Sequence, residues 1–390
     1  MSWKNLDQRL VAELVHEQGP RFGTRAISDH PRLRAAHPVE SRARNWRAWV
    51  GRCISENQGG GVIPSLRKAG RSRGQQLWER TAAAPPAAPS MPRAPEASDG
   101  LGPQSSSDGA FAAEMRLHQS RYRHERLQVP CGTGPRRGST RHYGNMLRPA
   151  DGARGCNFLT PEIFAVVQER LAQDTDRVEP FRLLHNMLSS QPMCFNLFGP
   201  LVRDPALASR LVSALLGQEV EVVEVRIEHA PSPAEEYLAD RTSFDAFIVY
   251  DGPVGRGFVG IETKLTEPFS QKSYDRPEYR RWMRPGGPWR EEASARVADI
   301  AHNQLWRDHL LAVALRDHPR SSFVEGRLVL VRHPGDESCG RVVAGYQELL
   351  VPGDTTLVDW PLDRLLAVWE GVAPERGAWL RAFRERYGVK

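Results

Sequence analysis

The chain has 390 residues, 40% of them hydrophobic and 26% charged, enough to bury a core in one large domain or two modest ones. A net charge of +6 and a pI of about 9.2 favour an anionic partner, although the basic residues are spread along the chain. No run reaches the ~20 apolar residues that cross a bilayer, Met1 opens no secretory leader, and five scattered cysteines show no zinc spacing, which together predict a cytoplasmic protein with reduced thiols.

Residues 1–80 read as an extension of uncertain structure. Leu6, Leu10, Val11 and Leu14 have the spacing of one amphipathic helix; beyond them few strand-like runs appear, and Trp46, Trp49 and Trp78 stand as isolated anchors. Residues 81–110 are rich in Pro, Ala and Ser with little to bury, and read as a disordered linker. A single domain is expected over 111–390, with order resuming near Ala112. Its first segment, AAEMRLHQSRYRHERL, is helical and basic through Arg116, Arg121, Arg123 and Arg126, and is either a solvated face or a track for a phosphate backbone. VPCGTGPRRGSTRHYGN is turn-rich. Thr160 followed by Pro161 caps a helix that Ile163, Val166, Val167 and Leu171 continue, and a second helix is expected over 179–189. QPMCFNLFGPL is too apolar for the surface and should pack under the core. Asp204 to Leu216 forms a further helix, closed by Gly217.

The apolar period then changes to that of strands. EVEVVEVRIEHA (219–230), SFDAFIVYD (243–251) and GFVGIETKLTE (257–267) are three in succession, the last two joined as a hairpin through Asp251, Gly252 and Pro253. An aromatic and basic insertion fills 268–290, followed by a helix from Ala295 to Arg316, a fourth strand RLVLVRH (327–333), and helices in WPLDRLLAVWE and ERGAWLRAFRERY.

Alternation along the third strand puts Phe258, Gly260, Glu262 and Lys264 on one face. A carboxylate and an ammonium inside an apolar strand are costly unless they pair or hold a metal. Asp245 adds a second carboxylate on the neighbouring strand. Asp245, Glu262 and the carbonyl of Thr263 would make a partial shell for a hard cation such as Mg2+ or Mn2+, with Lys264 orienting or helping to deprotonate an attacking water. The chain has only five lysines (Lys4, Lys68, Lys264, Lys272, Lys390), so a lysine here, where arginine is the habitual cation, points to chemistry beyond charge. The alternative is a solvated sheet face with Asp245 as a salt-bridge partner. Asp240 is either an acid near the metal or a turn cap, Glu228 is a weaker ligand candidate, and Arg307 either meets a phosphate or solvates its helix. In the insertion, Lys272, Arg280, Arg281 and Arg284 interleave with Tyr and Trp, which suits phosphate contact and base stacking as well as a loop whose rings pack inward. His302, His309 and His333 lie at no triad or zinc spacing and read as structural.

The order helix, strand, strand with Asp, strand with Glu-x-Lys, helix, strand resembles the PD-(D/E)XK phosphodiesterase superfamily. QPMCFNLFGPL, ADRTSFDAFIVY, GFVGIETKLTE and HNQLWRDHLLA more narrowly resemble a bacterial group of restriction-endonuclease-like proteins with this core, from about Glu114 onward, with QSRYRHERL, YGNML and GCNFLTPEI sharing the likeness. The resemblance implies an α/β fold: a restriction-endonuclease-like core, a central mixed four- to five-stranded sheet flanked by helices, behind a largely irregular N-terminal extension. It implies Asp245 and Glu262 as metal ligands and Lys264 as the catalytic lysine, with Phe244 where the family's name-giving proline stands. Gln304 resembles the glutamine that supports the lysine in some members. A Mg2+-dependent endonuclease acting on DNA follows, in a restriction or phage-defence setting and as a candidate homodimer. The alternatives are a catalytically silent nucleic-acid-binding protein and a DNA-repair or RNA-processing nuclease with the same core.

Overall fold

The computed structural model describes residues 100–173 and 178–390, and before them 10–11, 14–15, 21–37, 50, 54, 66–72 and 75–80. The chain divides into two compact units, Met1–Ala94 and Pro95–Lys390. In the first, strand Gln75–Arg80 pairs antiparallel with both Arg21–Gly23 and Leu66–Ser72, and short helices span Thr24–Ser28 and Pro31–Ala36. No apolar alternation announces these strands, because LRKAGRS and QQLWER are mostly polar. Leu10, Val11 and Leu14 are helical. Leu6, Trp46, Trp49 and linker residues 81–99 lie outside the described residues.

In the second unit, residues 100–109, read from composition as the end of the linker, pack on the domain. The carbonyls of Gly100 and Leu101 accept from buried Arg123 at 2.9 and 3.1 Å, and Pro103 accepts from the Gly144 amide at 2.8 Å. Composition is silent on such contacts, since every backbone carbonyl can make them. Helix α1 (Ala110–Tyr122) follows, and the turn-rich stretch folds into a hairpin of β1 (Cys131–Thr133) and β2 (His142–Leu147). Helix α2 (Pro161–Ala172) starts as expected, with the Thr160 hydroxyl accepting from the Ile163 amide.

The helix expected over 179–189 is shorter. As α3 (Pro180–His185) it stops where Asn186 turns extended, and Ser189 then caps α4 (Ser190–Val202), the apolar segment, almost all of it buried. Helix α5 (Pro205–Leu216) is capped by Asp204 and closed by Gly217 at φ +70°, a conformation that favours glycine.

Five strands form one mixed sheet: β3 (Glu221–His229), β4 (Phe244–Gly252), β5 (Gly255–Lys264), β6 (Glu325–Arg332) and β7 (Leu357–Pro361), in the order β7-β6-β5-β4-β3. The pairs among β3, β4 and β5 are antiparallel, and those among β5, β6 and β7 parallel. Parallel neighbours need crossovers, which α6 (Asn303–Asp317) and α7 (Glu337–Gln347) supply. Helices α8 (Leu362–Val372) and α9 (Gly377–Tyr387) complete the fold.

Three further elements differ from expectation. Helix α6 begins at Asn303 and not at Ala295, because the Asn303 side chain is committed to the insertion: its amide donates to the carbonyls of Tyr274 and Ala298, and its oxygen accepts from the Tyr274 amide. Strand β7 takes Trp360 and Pro361 from what reads as a helix start, its apolar run broken by Asp359, which pairs with Arg332 at 2.9 Å. Helix α7 has no counterpart in the sequence reading.

One sheet face, with Ala246, Ile248, Val259, Ile261, Val329 and Val331, packs against α2, α4, α5, α8 and α9. The other, with Phe247, Val249, Phe258, Leu328 and Leu330, packs against α6 and α7, and Tyr279, Trp282 and Trp289 of the insertion are buried there. Those three rings therefore pack inward. Helix α9 ties distant parts together: the Arg386 guanidinium donates to Asn157, its carbonyl accepts from Gln119 of α1, and the Tyr387 hydroxyl bonds Asn196 of α4 at 2.8 Å. Among the described residues no helix is long and apolar enough to cross a membrane.

Candidate active site

The two central antiparallel strands bring the acids together. The ladder pairs Ala246 with Ile261, so one rung further Asp245 lies beside Glu262, near the start of β4 and the end of β5. Asp245 is pinned: its Oδ2 accepts from the Thr263 amide at 2.8 Å and the Thr263 hydroxyl at 2.6 Å. Glu262 Oε1 pairs with Lys264 Nζ at 3.0 Å and accepts from Gln304 Nε2 at 2.8 Å. Gln304, near the N-terminus of α6, also accepts the Ser270 amide on its oxygen at 2.8 Å, linking the insertion to Glu262. Lys264 Nζ lies 5.0 Å from the centre of the Phe269 ring. Glu262 and Lys264 are only 7% and 6% exposed, so they are not a solvated sheet face.

The charges here are out of balance. Burial pushes Asp245 up to about 7, with Glu262 adding to the rise, and burial likewise pushes Glu262 up to about 7 against the pull of Lys264. Burial works to lower Lys264, yet Glu262 beside it prevails and raises it above the ordinary lysine value. In this arrangement Glu262 favours the charged form of Lys264. Two further acids join the group. Glu228 is pushed up to about 8 by burial and by Asp245, and Asp308 to about 7 by burial. Asp308 is 5% exposed and its Oδ2 has no hydrogen-bond partner.

Lys264, with Arg307 near Asp308 and Arg170 and Arg182 near Glu228, offsets these four acids only in part, and oxygen donors of this kind suit a hard divalent cation. Among the described residues no group of three or more His, Cys, Asp or Glu is placed to hold a metal ion. Mg2+ needs none, since it binds through one or two carboxylates and keeps waters for substrate phosphate.

Asp245, Glu262, Thr263, Lys264 and Gln304 thus meet in one place. The basic candidates are engaged elsewhere. Arg280 pairs with Asp275 at 2.6 Å and lies over Trp306; Arg281 donates to the carbonyls of Glu235 and Tyr237; Arg284 lies over Trp282. Arg307 reaches Asp240 at 3.4 Å and Thr242 at 3.1 Å and stacks on Tyr274. Asp240 accepts the Thr242 amide and the Tyr279 hydroxyl, the behaviour of a turn cap. Lys272 is exposed and makes no ion pair among the described residues. Of the basic helix, Arg123 is buried on backbone carbonyls, Arg116 pairs with Asp108, and Arg126 with Glu385. His309 bonds Tyr346 and Thr356, and His333 the carbonyl of Tyr387.

Sequence reasoning missed Asp308 and Gln191. Asp308 carried a signal, standing one helical turn after Gln304 on the same face. Gln191 is a polar side chain at the start of an apolar helix.

A cleft of about 1380 Å³ opens directly after β5. It is lined by Thr266, Glu267 and Phe269 and further by Arg116, Tyr143, Arg182 and Arg341, with Glu114 and Glu337 giving it mixed charge. A mixed sheet with an acid on one strand and Glu-x-Lys on the next, buried beside such a cleft, defines a nuclease-type α/β core. Residues 106–388 match the model of the PD-(D/E)XK nuclease superfamily, and the chain belongs to that superfamily. No curated protein and no solved structure matches the chain.

Proposed function

We propose that the protein is a Mg2+-dependent endonuclease that hydrolyses phosphodiester bonds of DNA, in the restriction or defence setting that its resemblance implies. The observation that carries this is the set of half-buried Asp245 with buried Glu262 and Lys264, short of positive charge and separated from the cleft by the Phe269 ring that lines it.

Asp245, Glu262 and the Thr263 carbonyl would hold the cation. Bound there, Mg2+ or Mn2+ supplies positive charge to the phosphoryl oxygens and acidifies water. Thr263 fixes one oxygen of Asp245, so that carboxylate is oriented in advance. Gln304 does the same for Glu262. Lys264, kept charged by Glu262, donates toward the phosphate and stabilises the negative charge that grows there. Lys272, exposed on the loop that Gln304 anchors, would meet the DNA backbone.

Plasmid nicking with and without Mg2+ tests the proposal. Wild-type protein should nick only with the cation, and Glu262→Ala and Lys264→Ala should each nick at least about 100-fold more slowly. Cleavage that survives at full rate in both variants removes these residues from the chemistry.

A further inference from the structure

The positive charge of the chain is unevenly placed. Met1–Ala94, the first compact unit, has sixteen Lys and Arg against seven Asp and Glu, a net +9, whereas Pro95–Lys390 has thirty-seven against forty, a net −3. The net attraction to a polyanion therefore comes from outside the unit that holds Asp245 and Glu262, and from outside residues 106–388, which match the nuclease superfamily. Acids are scarce where the excess is greatest: residues 41–80 have nine Lys and Arg and only two Glu.

This unit has a core of its own, in which Val11, Leu14, Ile27, Leu33, Val50 and Ile54 are fully buried. Its strands sort the charges. The ladder between Leu66–Ser72 and Gln75–Arg80 matches Lys68 with Trp78 and then, past a bulge, Arg71 with Gln76. The bulge inserts one extra residue, which brings Arg71 to the face that Lys68 occupies, although the two are an odd number of residues apart. Arg80, opposite Leu66, shares that face, and no Asp or Glu stands on it among the paired residues. Glu79, the one acid in these strands, is on the other face, in register between Arg21 and Arg67. Strand Arg21–Gly23 pairs only with Leu77, Trp78 and Glu79, so at Arg71 with Gln76 and Ser72 with Gln75 the sheet continues as a ribbon of two strands.

We infer that the ribbon of Leu66–Ser72 and Gln75–Arg80 is a binding element for duplex DNA that enters the major groove, with Lys68, Arg71 and Arg80 as its phosphate contacts. The major groove of B-form DNA admits a two-stranded ribbon, and the deep, narrow major groove of A-form RNA does not. Gln76 shares the face of Lys68 and Arg71, and its amide is of the kind that pairs donor and acceptor with an adenine edge. The first unit would supply the attraction to DNA that the acidic second unit lacks, and added salt would weaken it.

Fluorescence anisotropy of a labelled DNA duplex with the full chain in EDTA tests this without any cleavage. Wild-type affinity should fall steeply with salt. The triple variant Lys68→Gln, Arg71→Gln, Arg80→Gln should flatten the slope of log K against log salt by about 2.7, about 0.9 for each phosphate contact removed. An unchanged slope, or no binding by the wild type, overturns the inference, and so does an RNA duplex of the same length bound as tightly. If the triple variant loses its cooperative melting, Gln76→Lys takes its place: one cation added to the same face should steepen the slope by about 0.9, and an unchanged slope again overturns it. Binding by the ribbon needs neither a cation nor cleavage, so the two readings fail separately. Metal-free binding that depends on these cations, in a protein that nicks no plasmid with Mg2+, leaves the ribbon standing and removes the nuclease proposal. Mg2+-dependent nicking with the same salt slope in wild type and triple variant does the reverse.

Discussion

Lys264 shows how much a single side chain decides. It sits 6% exposed between Glu262 and the Phe269 ring. Lys264→Met should lower nicking by about 10²- to 10³-fold, the usual cost of removing one donor that stabilises growing negative charge. Lys264→Arg should fail to restore it, because a bulkier planar guanidinium cannot reproduce a buried point-charge contact or release a proton. Single-turnover rates on a plasmid decide between these outcomes, and an active arginine variant would reduce the lysine to a simple charge. The sequence made this residue visible through the scarcity of lysine and its place two residues from Glu262. Its protonation was not visible, since that depends on burial and on which acid lies nearest, and neither is written in a strand's alternation.

Among the elements, the legible ones carry their own local signals. Thr160 and Pro161 mark the start of α2, Asp204 and Gly217 the two ends of α5, and the hydrophobic alternation marks β4 and β5, which hold Asp245 and Glu262. Elements set by long-range commitments were not legible. Helix α6 starts at Asn303 because that side chain clamps Tyr274, twenty-nine residues earlier, at 3.0 Å. Strand β7 exists because β6 offers it a parallel edge. The Asn303 clamp has a measurable value: Asn303→Ala strands a buried amide and two carbonyls and should cost about 1–3 kcal/mol of stability, read from urea unfolding. Since Gln304 is the next residue and joins Ser270 to Glu262, the same variant should also raise KM by loosening the loop that carries Lys272. A variant of unchanged stability would show that the insertion holds its place without the clamp.

At the scale of the whole molecule, the acids Glu228, Asp245, Glu262 and Asp308 couple stability to pH. Their folded values, about 7 to 8, lie above the roughly 4 of an unfolded carboxyl. The folded state thus holds more protons between those limits, and the stability they contribute is complete below about pH 4 and lost as pH rises through 7 to 8. Cation-free protein should melt at a lower temperature at pH 8 than at pH 6, and Mg2+ should raise Tm more at pH 8, where the carboxylates are free to bind it. A Mg2+ effect that is larger at pH 6 contradicts the assignment. Helix α9 adds a consequence of a different kind. Its residues Arg386 and Tyr387 stitch α1 to α4, more than a hundred residues downstream of Asp245 and Glu262. During translation the acids leave the ribosome long before the segment that braces α4 beneath them. The contacts that hold α4 in place therefore form only after both acid-bearing strands have been made.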